Sequence, residues 1–213
     1  MRLYLSSFRN GNQPEALLNL LSGKKRTALI ANAVDLDNPE ERQRKVIEEI
    51  DRLAALGLDV SDIDLRDYFG KSAELSGKLA QYDLLWVRGG NSFVLRRACA
   101  QSGADTIIKD LVMKDRIVYG GYSAGIDLVA TDLHGVDLVD DPYRVPDGYN
   151  PEIIWSGLGI LQYTVNAHYK SEHPESADID KSIKYMIEHH IPFMALRDGE
   201  AIVIDGEERR IVG

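Results

Sequence analysis

The sequence predicts an α/β fold: a mostly parallel sheet with helices on both faces, plus a small C-terminal antiparallel meander. Three observations carry this. Apolar runs of strand length alternate with helical repeats as far as about residue 130. The run at residues 27–34 is almost continuously apolar, as a strand covered on both faces must be. Two Asp-Gly pairs, Asp198-Gly199 and Asp205-Gly206, separate three short apolar runs near the end, which is the chemistry of tight antiparallel turns.

Residues 3–8 read as the first strand. Pro14 suits a helix start and Gly23 a stop, framing a short helix over residues 15–21. After the strand at 27–34, Asn38-Pro39-Glu40-Glu41 supplies a cap, a first-turn proline and two acids. Val46, Ile47, Ile50, Leu53, Ala54 and Leu56 then recur at helical spacing up to Gly57. Residues 60–65 make a third strand, weakened by Asp59, Asp62 and Asp64. A loop through Tyr68-Phe69-Gly70 and a short helix at 73–80 precede a fourth strand, 83–87, which runs into Arg88-Gly89-Gly90-Asn91. A helix with Val94, Leu95 and Ala98 inward ends at Gly103, and another covers 105–114. Residues 116–119 form the fifth strand, and 126–130 have helical character. Residues 131–155 are acidic and rich in turn formers, a long loop of the kind that serves function or moves. A strand within 159–167 delivers His168, and 179–189 are helical. Residues 193–197, 201–204 and 209–212 are the strands of the meander. No repeat, low-complexity segment or linker interrupts the chain, so residues 1–213 are expected to form one domain.

Composition narrows the function classes. With 213 residues, 44% apolar and 28% charged, the chain can bury a sizeable core. A net charge of -9 argues against nucleic acid, which calls for a basic face. The one basic cluster, Lys24-Lys25-Arg26, reads as a solvated loop. No apolar run nears the roughly 20 residues of a membrane span. Met1 to Leu5 leads straight into a strand without the layout of a signal peptide, and the single Cys99 has no internal partner; a reducing cytoplasm is the expected setting. Cys99 falls in a helical stretch, as a small buried residue would. No His/Cys/Asp group shows ligand spacing, so neither metal nor cofactor is expected.

The informative stretch is Val118 to Ile126. Gly121-Tyr122-Ser123-Ala124-Gly125 has the pattern of a nucleophile elbow, a sharp strand-to-helix turn exposing a serine hydroxyl. The glycines let strand and helix pass closely, while the free N–H groups of the helix start point at the reacting atom. Ala124 N–H is the natural first oxyanion donor. Gly90, at the neighbouring strand end, is the second. Asn91 beside it is a candidate substrate contact and equally a candidate helix cap.

A serine hydroxyl needs a base. His189 and His190 end a helix, where they complement its dipole. His173 precedes Pro174 in a polar loop and reads as solvent-facing. His134 competes, but His168 ends an apolar strand, where a parallel sheet collects its ligands, and is the choice. For the acid that orients the base, Asp132, Asp137, Asp140, Asp141, Asp198 and Glu200 all remain open.

Four patches in order resemble the serine peptidases typified by dipeptidase E, with cyanophycinase as a relative: residues 87–93, 119–125, 165–169 and 195–199. The resemblance implies a glutamine-amidotransferase-like sheet, Ser123 as nucleophile, His168 as base, and Gly90 and Ala124 as oxyanion donors. It puts the third triad member at Asp198, where the family usually carries Glu before glycine. The dipeptidase's Gly-Glu-Thr-Arg-like stretch, whose arginine reads an acidic side chain, has no counterpart: Glu175-Ser176-Ala177-Asp178 stands there without arginine. A homodimer is also implied, though no stretch of the sequence points to one. The resulting expectation is a serine exopeptidase of short peptides, including dipeptides with N-terminal aspartate. Its substrate is a small peptide, with no nucleic acid and no membrane. The alternatives are an esterase or other acyl hydrolase, and a non-catalytic module binding a small anion on its two glycine-rich turns.

Overall fold

The computed structural model describes residues 1–213. Five parallel strands form the centre: β1 (Arg2–Ser6), β2 (Arg26–Ile30), β3 (Asp59–Asp62), β4 (Leu84–Val87) and β5 (Val118–Tyr122). Two further strands, β8 (Ala201–Asp205) and β9 (Glu208–Val212), extend the sheet antiparallel beside β1, giving the order β3-β2-β4-β5-β1-β8-β9. Helices α1 (Glu15–Leu21) and α2 (Pro39–Ala54) cover one face. The other is covered by α3 (Ser72–Leu79), α4 (Ser92–Ser102), α5 (Ala104–Met113) and the single-turn α6 (Ala124–Asp127). The expected α/β class is the observed one.

Alternation along the strands builds two cores from one sheet, because successive side chains leave a strand on opposite faces. Leu85 and Val87 of β4 join Leu3, Leu5, Ala28 and Ile30 beneath α4 and α5. Leu84 and Trp86 of the same strand join Tyr4, Leu29 and Val118 against α1 and α2. Each such side chain fully removed from water is worth about 1.5–3 kcal/mol. Strands apolar on both sides fit a sheet covered by helices on both faces. The helix starts follow the chemistry read from the chain: Asn38 Oδ1 accepts the Glu41 N–H at 2.9 Å, with Pro39 in the first turn. Edge strand β3, with its alternating aspartates, stays partly exposed. No helix is long and apolar enough to cross a membrane.

The C-terminal region departs from the expectation in one pairing. β8 and β9 form the antiparallel hairpin around Asp205-Gly206, but β7 (Phe193–Ala195) leaves the meander. It pairs in parallel with β6 (Thr164–Asn166) in a separate two-stranded sheet. The cause is the intervening helix α7 (Ser176–Glu188), since a crossover helix returns the chain in the same direction. Both strands of this small unit therefore end on the same side, just before His168 and Asp198.

The long loop is fastened rather than free. Arg97, 1% exposed on α4, donates to the carbonyls of Pro142, Pro151 and Glu152. Asn91 donates to Asp141 O, and Asp140 accepts the Ser92 N–H at 2.7 Å. These bonds carry Asp140 to the N-terminal end of α4, beside the elbow.

Candidate active site

Strand β5 turns into α6 at Ser123, whose backbone sits at φ 49°, ψ -119°. A non-glycine residue held there costs on the order of 1–3 kcal/mol, a price met by the packing around it. The two flanking glycines explain why the turn can close. A Cβ on Gly121 would lie 2.6 Å from Val87 O, and one on Gly125 only 2.3 Å from the same oxygen. The elbow thus rides directly on the end of β4.

The neighbouring turn is built in the same way. Gly90 has φ 145°, and a Cβ there would meet Ala33 O at 2.5 Å. That same carbonyl accepts the Asn91 N–H at 2.8 Å. Gly90 N–H has no acceptor in the protein, and Ala124 N–H, at the helix start, has none within α6. Gly90 and Ser123 line one cleft. Asn91 uses both polar atoms inside the protein: Oδ1 accepts the Val94 N–H at 2.9 Å as the cap of α4, and Nδ2 donates to Asp141 O.

His168 and Asp198 arrive together from the ends of β6 and β7. His168 Nδ1 and Asp198 Oδ1 are 2.7 Å apart. Ser7, fully buried at the end of β1, locks the pair to the main sheet: its Oγ accepts the His168 N–H at 2.8 Å and donates to Asp198 Oδ1 at 2.9 Å. Ser123 and His168 line two cavities in common, with no hydrogen bond between them; such contacts commonly close only around substrate. His134, the rival base, pairs with Asp132 at 2.6 Å and stacks on Trp155 with ring centres 4.4 Å apart. Of the six acids left open by the sequence, Asp198 is the one hydrogen-bonded to His168.

His173 is not solvent-facing as its polar neighbours suggested. Its ring stacks on His168 with centres 3.6 Å apart and planes 10° from parallel, and Phe8 meets both rings edge-on. The basicity of His168 is lowered by burial first and by the adjacent His173 second, against the raising influence of Asp198. Burial also lowers His173 and raises Glu175, whose Oε2 lies 3.9 Å from His168 Nε2. His168, His173 and Glu175 each offer a ligand atom within 4.8 Å of the others. Near-parallel rings, however, send their lone pairs along near-parallel lines, and His173 Nδ1 already accepts the Glu175 N–H at 3.3 Å. The group suits proton chemistry better than a tetrahedral ion.

Two wings extend from Ser123. One is a chamber of about 20 Å³, room for a single water-sized group, lined by Ser123, Asp127, Asp140, His168 and Glu175. Burial pushes Asp127 up to about 8 and Asp140 up to about 6, and neither carboxylate has a cation partner. The other wing is the open cleft, with Arg9, Lys45, Arg52 and Arg88 in its wall. Lys45 pairs with Asp37 and Arg52 with Glu49; Arg88 Nε, buried without a hydrogen bond, lies 3.8 Å from Glu49 Oε2, and Arg9 has no ion pair.

Glu49 went unread in the sequence. It is fully buried on α2, accepts from Trp86 Nε1 at 2.8 Å and Tyr122 OH at 2.9 Å, and pairs with Arg52. It anchors the residue immediately before Ser123. Its one local signal is an acid three residues after Val46 and four before Leu53, on the inward stripe of a helix. Cys99 is buried and its thiol is pushed up by burial, which suits packing and not nucleophilic chemistry.

Comparison with known proteins gives consistent matches. The sequence fits the profile of peptidase family S51 over residues 5–212. It is 25% identical over 140 residues to a Drosophila melanogaster protein named probable alpha-aspartyl dipeptidase, covering 63% of this chain. The chain spans only 55% of that relative's length. It is 24% identical over 156 residues to the uncharacterized peptidase Lmo0363 of Listeria monocytogenes, covering 73% of this chain and 72% of the other. In three dimensions it matches a Listeria monocytogenes EGD-e protein assigned to peptidase E, with a TM-score of 0.81, 22% identity, and coverage of 99% and 97%. A peptidase from an acI-B1 actinobacterium matches with a TM-score of 0.69, 15% identity, and coverage of 100% and 87%.

Proposed function

The chain belongs to peptidase family S51, the dipeptidase E family of serine-type peptidases, and from that membership we propose that it is a serine exopeptidase of short peptides working through Ser123, His168 and Asp198. The observation that carries the reading is the 2.7 Å contact from Asp198 to His168 Nδ1, made beside a strained serine in a shared cleft. Asp198 keeps the Nδ1–H tautomer, which leaves Nε2 free as the base. Ser123 Oγ attacks the scissile carbonyl carbon as its proton passes to Nε2. The oxyanion is held by the N–H groups of Gly90 and Ala124. His168 then gives the proton to the leaving amine, the C–N bond breaks, and an acyl-serine remains. Water, deprotonated by His168, attacks this ester, and collapse returns the proton to Ser123 Oγ.

Both wings support a small, charged substrate. Asp127 and Asp140, which no cation of the protein pairs in the chamber, suit the free α-ammonium that an exopeptidase must recognise, because its charge draws Asp127 back to the carboxylate that burial disfavours. Arg9 and Arg88, in the open wing, suit an acidic side chain, which supports the preference for N-terminal aspartate carried by the name of the Drosophila relative. A panel of dipeptides varying the first residue tests this. Asp-Xaa substrates should be cleaved well ahead of Leu-Xaa, and N-acetylated versions should resist. No cleavage of any dipeptide, together with no fluorophosphonate labelling of Ser123, would overturn the proposal.

The pH dependence follows from His168. The base works when neutral, and burial and His173 together hold its pKa below the ordinary imidazole value. Activity should therefore persist to lower pH than an unperturbed histidine allows, with the acid limb of kcat/KM below about 6.5. A limb clearly above that value would contradict the arrangement.

A further inference from the structure

A hydrogen bond to Nδ1 fixes one point of the His168 ring but leaves rotation about the Nδ1–Asp198 axis. The stacked ring of His173 removes that freedom, at 3.6 Å between centres, with Phe8 closing the edge at 5.6 Å. His173 is itself held: its Nδ1 accepts the Glu175 N–H, so its own proton sits on Nε2, and Phe8 packs on it at 5.3 Å. We propose that His173 is a positioning residue for the catalytic base, clamping the His168 ring in the plane from which Nε2 reaches Ser123. The inference rests on the reading of His168 as base given above.

The groups facing His168 come from five segments of the chain. They are Asp198 after β7, His173 and Glu175 between β6 and α7, the Ser7 hydroxyl after β1, and Asp127 and Asp140 in the chamber. Arg9, Arg52 and Arg88 line the cleft beyond. Of these, His173 is the one in face-to-face contact. When neutral it presents a π face to the imidazolium that forms during turnover; when protonated it repels it.

Two substitutions separate geometry from charge. In His173→Ala both are lost, and kcat should fall about 10- to 100-fold, the scale of a small misplacement of a catalytic group. KM should change by less than about threefold, since the charged groups of the cleft, Arg9 and Arg88, are left in place. In His173→Phe the stack is kept, so kcat should return to within about threefold of wild type. Its acid limb should move to higher pH, because the charge that lowers His168 is gone. Wild-type kcat in His173→Ala, or a Phe variant as slow as the Ala variant at an unchanged melting temperature, would overturn the proposal. NMR titration of the wild-type protein gives a reading independent of both variants: the two imidazoles should titrate in coupled steps, and two independent single-step curves would also overturn it. His168→Ala is the control. If it retains turnover, the base assignment fails; if it is inactive while His173→Ala is normal, only this inference fails.

Discussion

Replacing Ser123 with alanine is expected to lower turnover of a cleavable dipeptide by about 10³- to 10⁶-fold, with the remainder coming from binding and the oxyanion donors. The loss should fall on kcat, because the hydroxyl forms its bond only during reaction. Ser123→Gly gives a second, opposite signature. It removes the same hydroxyl and relieves a backbone held at φ 49°. Against that relief stands the greater freedom of glycine in the unfolded chain, so the net gain is about 1 kcal/mol, or a melting temperature higher by about 2–4 °C. Alanine keeps the strain and should melt close to wild type. Undiminished hydrolysis by purified Ser123→Ala would remove this residue from the chemistry altogether.

Glu49→Ala is expected to destabilise the fold by about 3–5 kcal/mol, the range for removing one partner from a buried charged network. The side chain touches no water, and its loss strands Trp86 Nε1 and the Tyr122 hydroxyl inside the core and leaves Arg52 without its acid. Glu49→Gln retains an acceptor for one of the two neutral donors and should cost less, about 1–3 kcal/mol. Urea unfolding measures both. Because Tyr122 directly precedes Ser123, turnover should drop in Glu49→Ala even at temperatures where the protein remains folded. A variant as stable as wild type would mean that the carboxylate contributes nothing net to the fold.

The parts legible in the sequence are those set by local chemistry. The glycine spacing around Ser123, the cap at Asn38 and the apolar runs of β2 and β4 act over a few residues, and each is where the sequence puts it. Boundaries were less legible where distant backbone decides them. The apolar run at 27–34 leaves the sheet after Ile30, because Ala33 must turn its carbonyl toward the Gly90 turn. The strand sought within 159–167 shrinks to three residues, the length that β7 pairs. The buried polar groups were illegible for the same reason. Glu49 meets partners 37 and 73 residues away, and Ser7 meets His168 at 161. His173 looks polar and exposed in its own segment because Phe8, which covers it, comes from the far end of the chain, and because nothing local shows that the segment folds back to lay it on the His168 ring.

A single backbone oxygen, that of Val87, forbids a side chain at both 121 and 125. The constraint has a consequence for how such a chain can diverge. A drifting gene that alters one of these two codons meets a collision, and relaxing it by displacing β4 alters the surroundings of the other at the same moment. Neither position can be explored one mutation at a time, so the strand and the turn that crosses it are inherited as a block. Variety in this lineage has to accumulate on the walls of the cleft, where Arg9 stands on a separate segment and can be exchanged without touching the crossing.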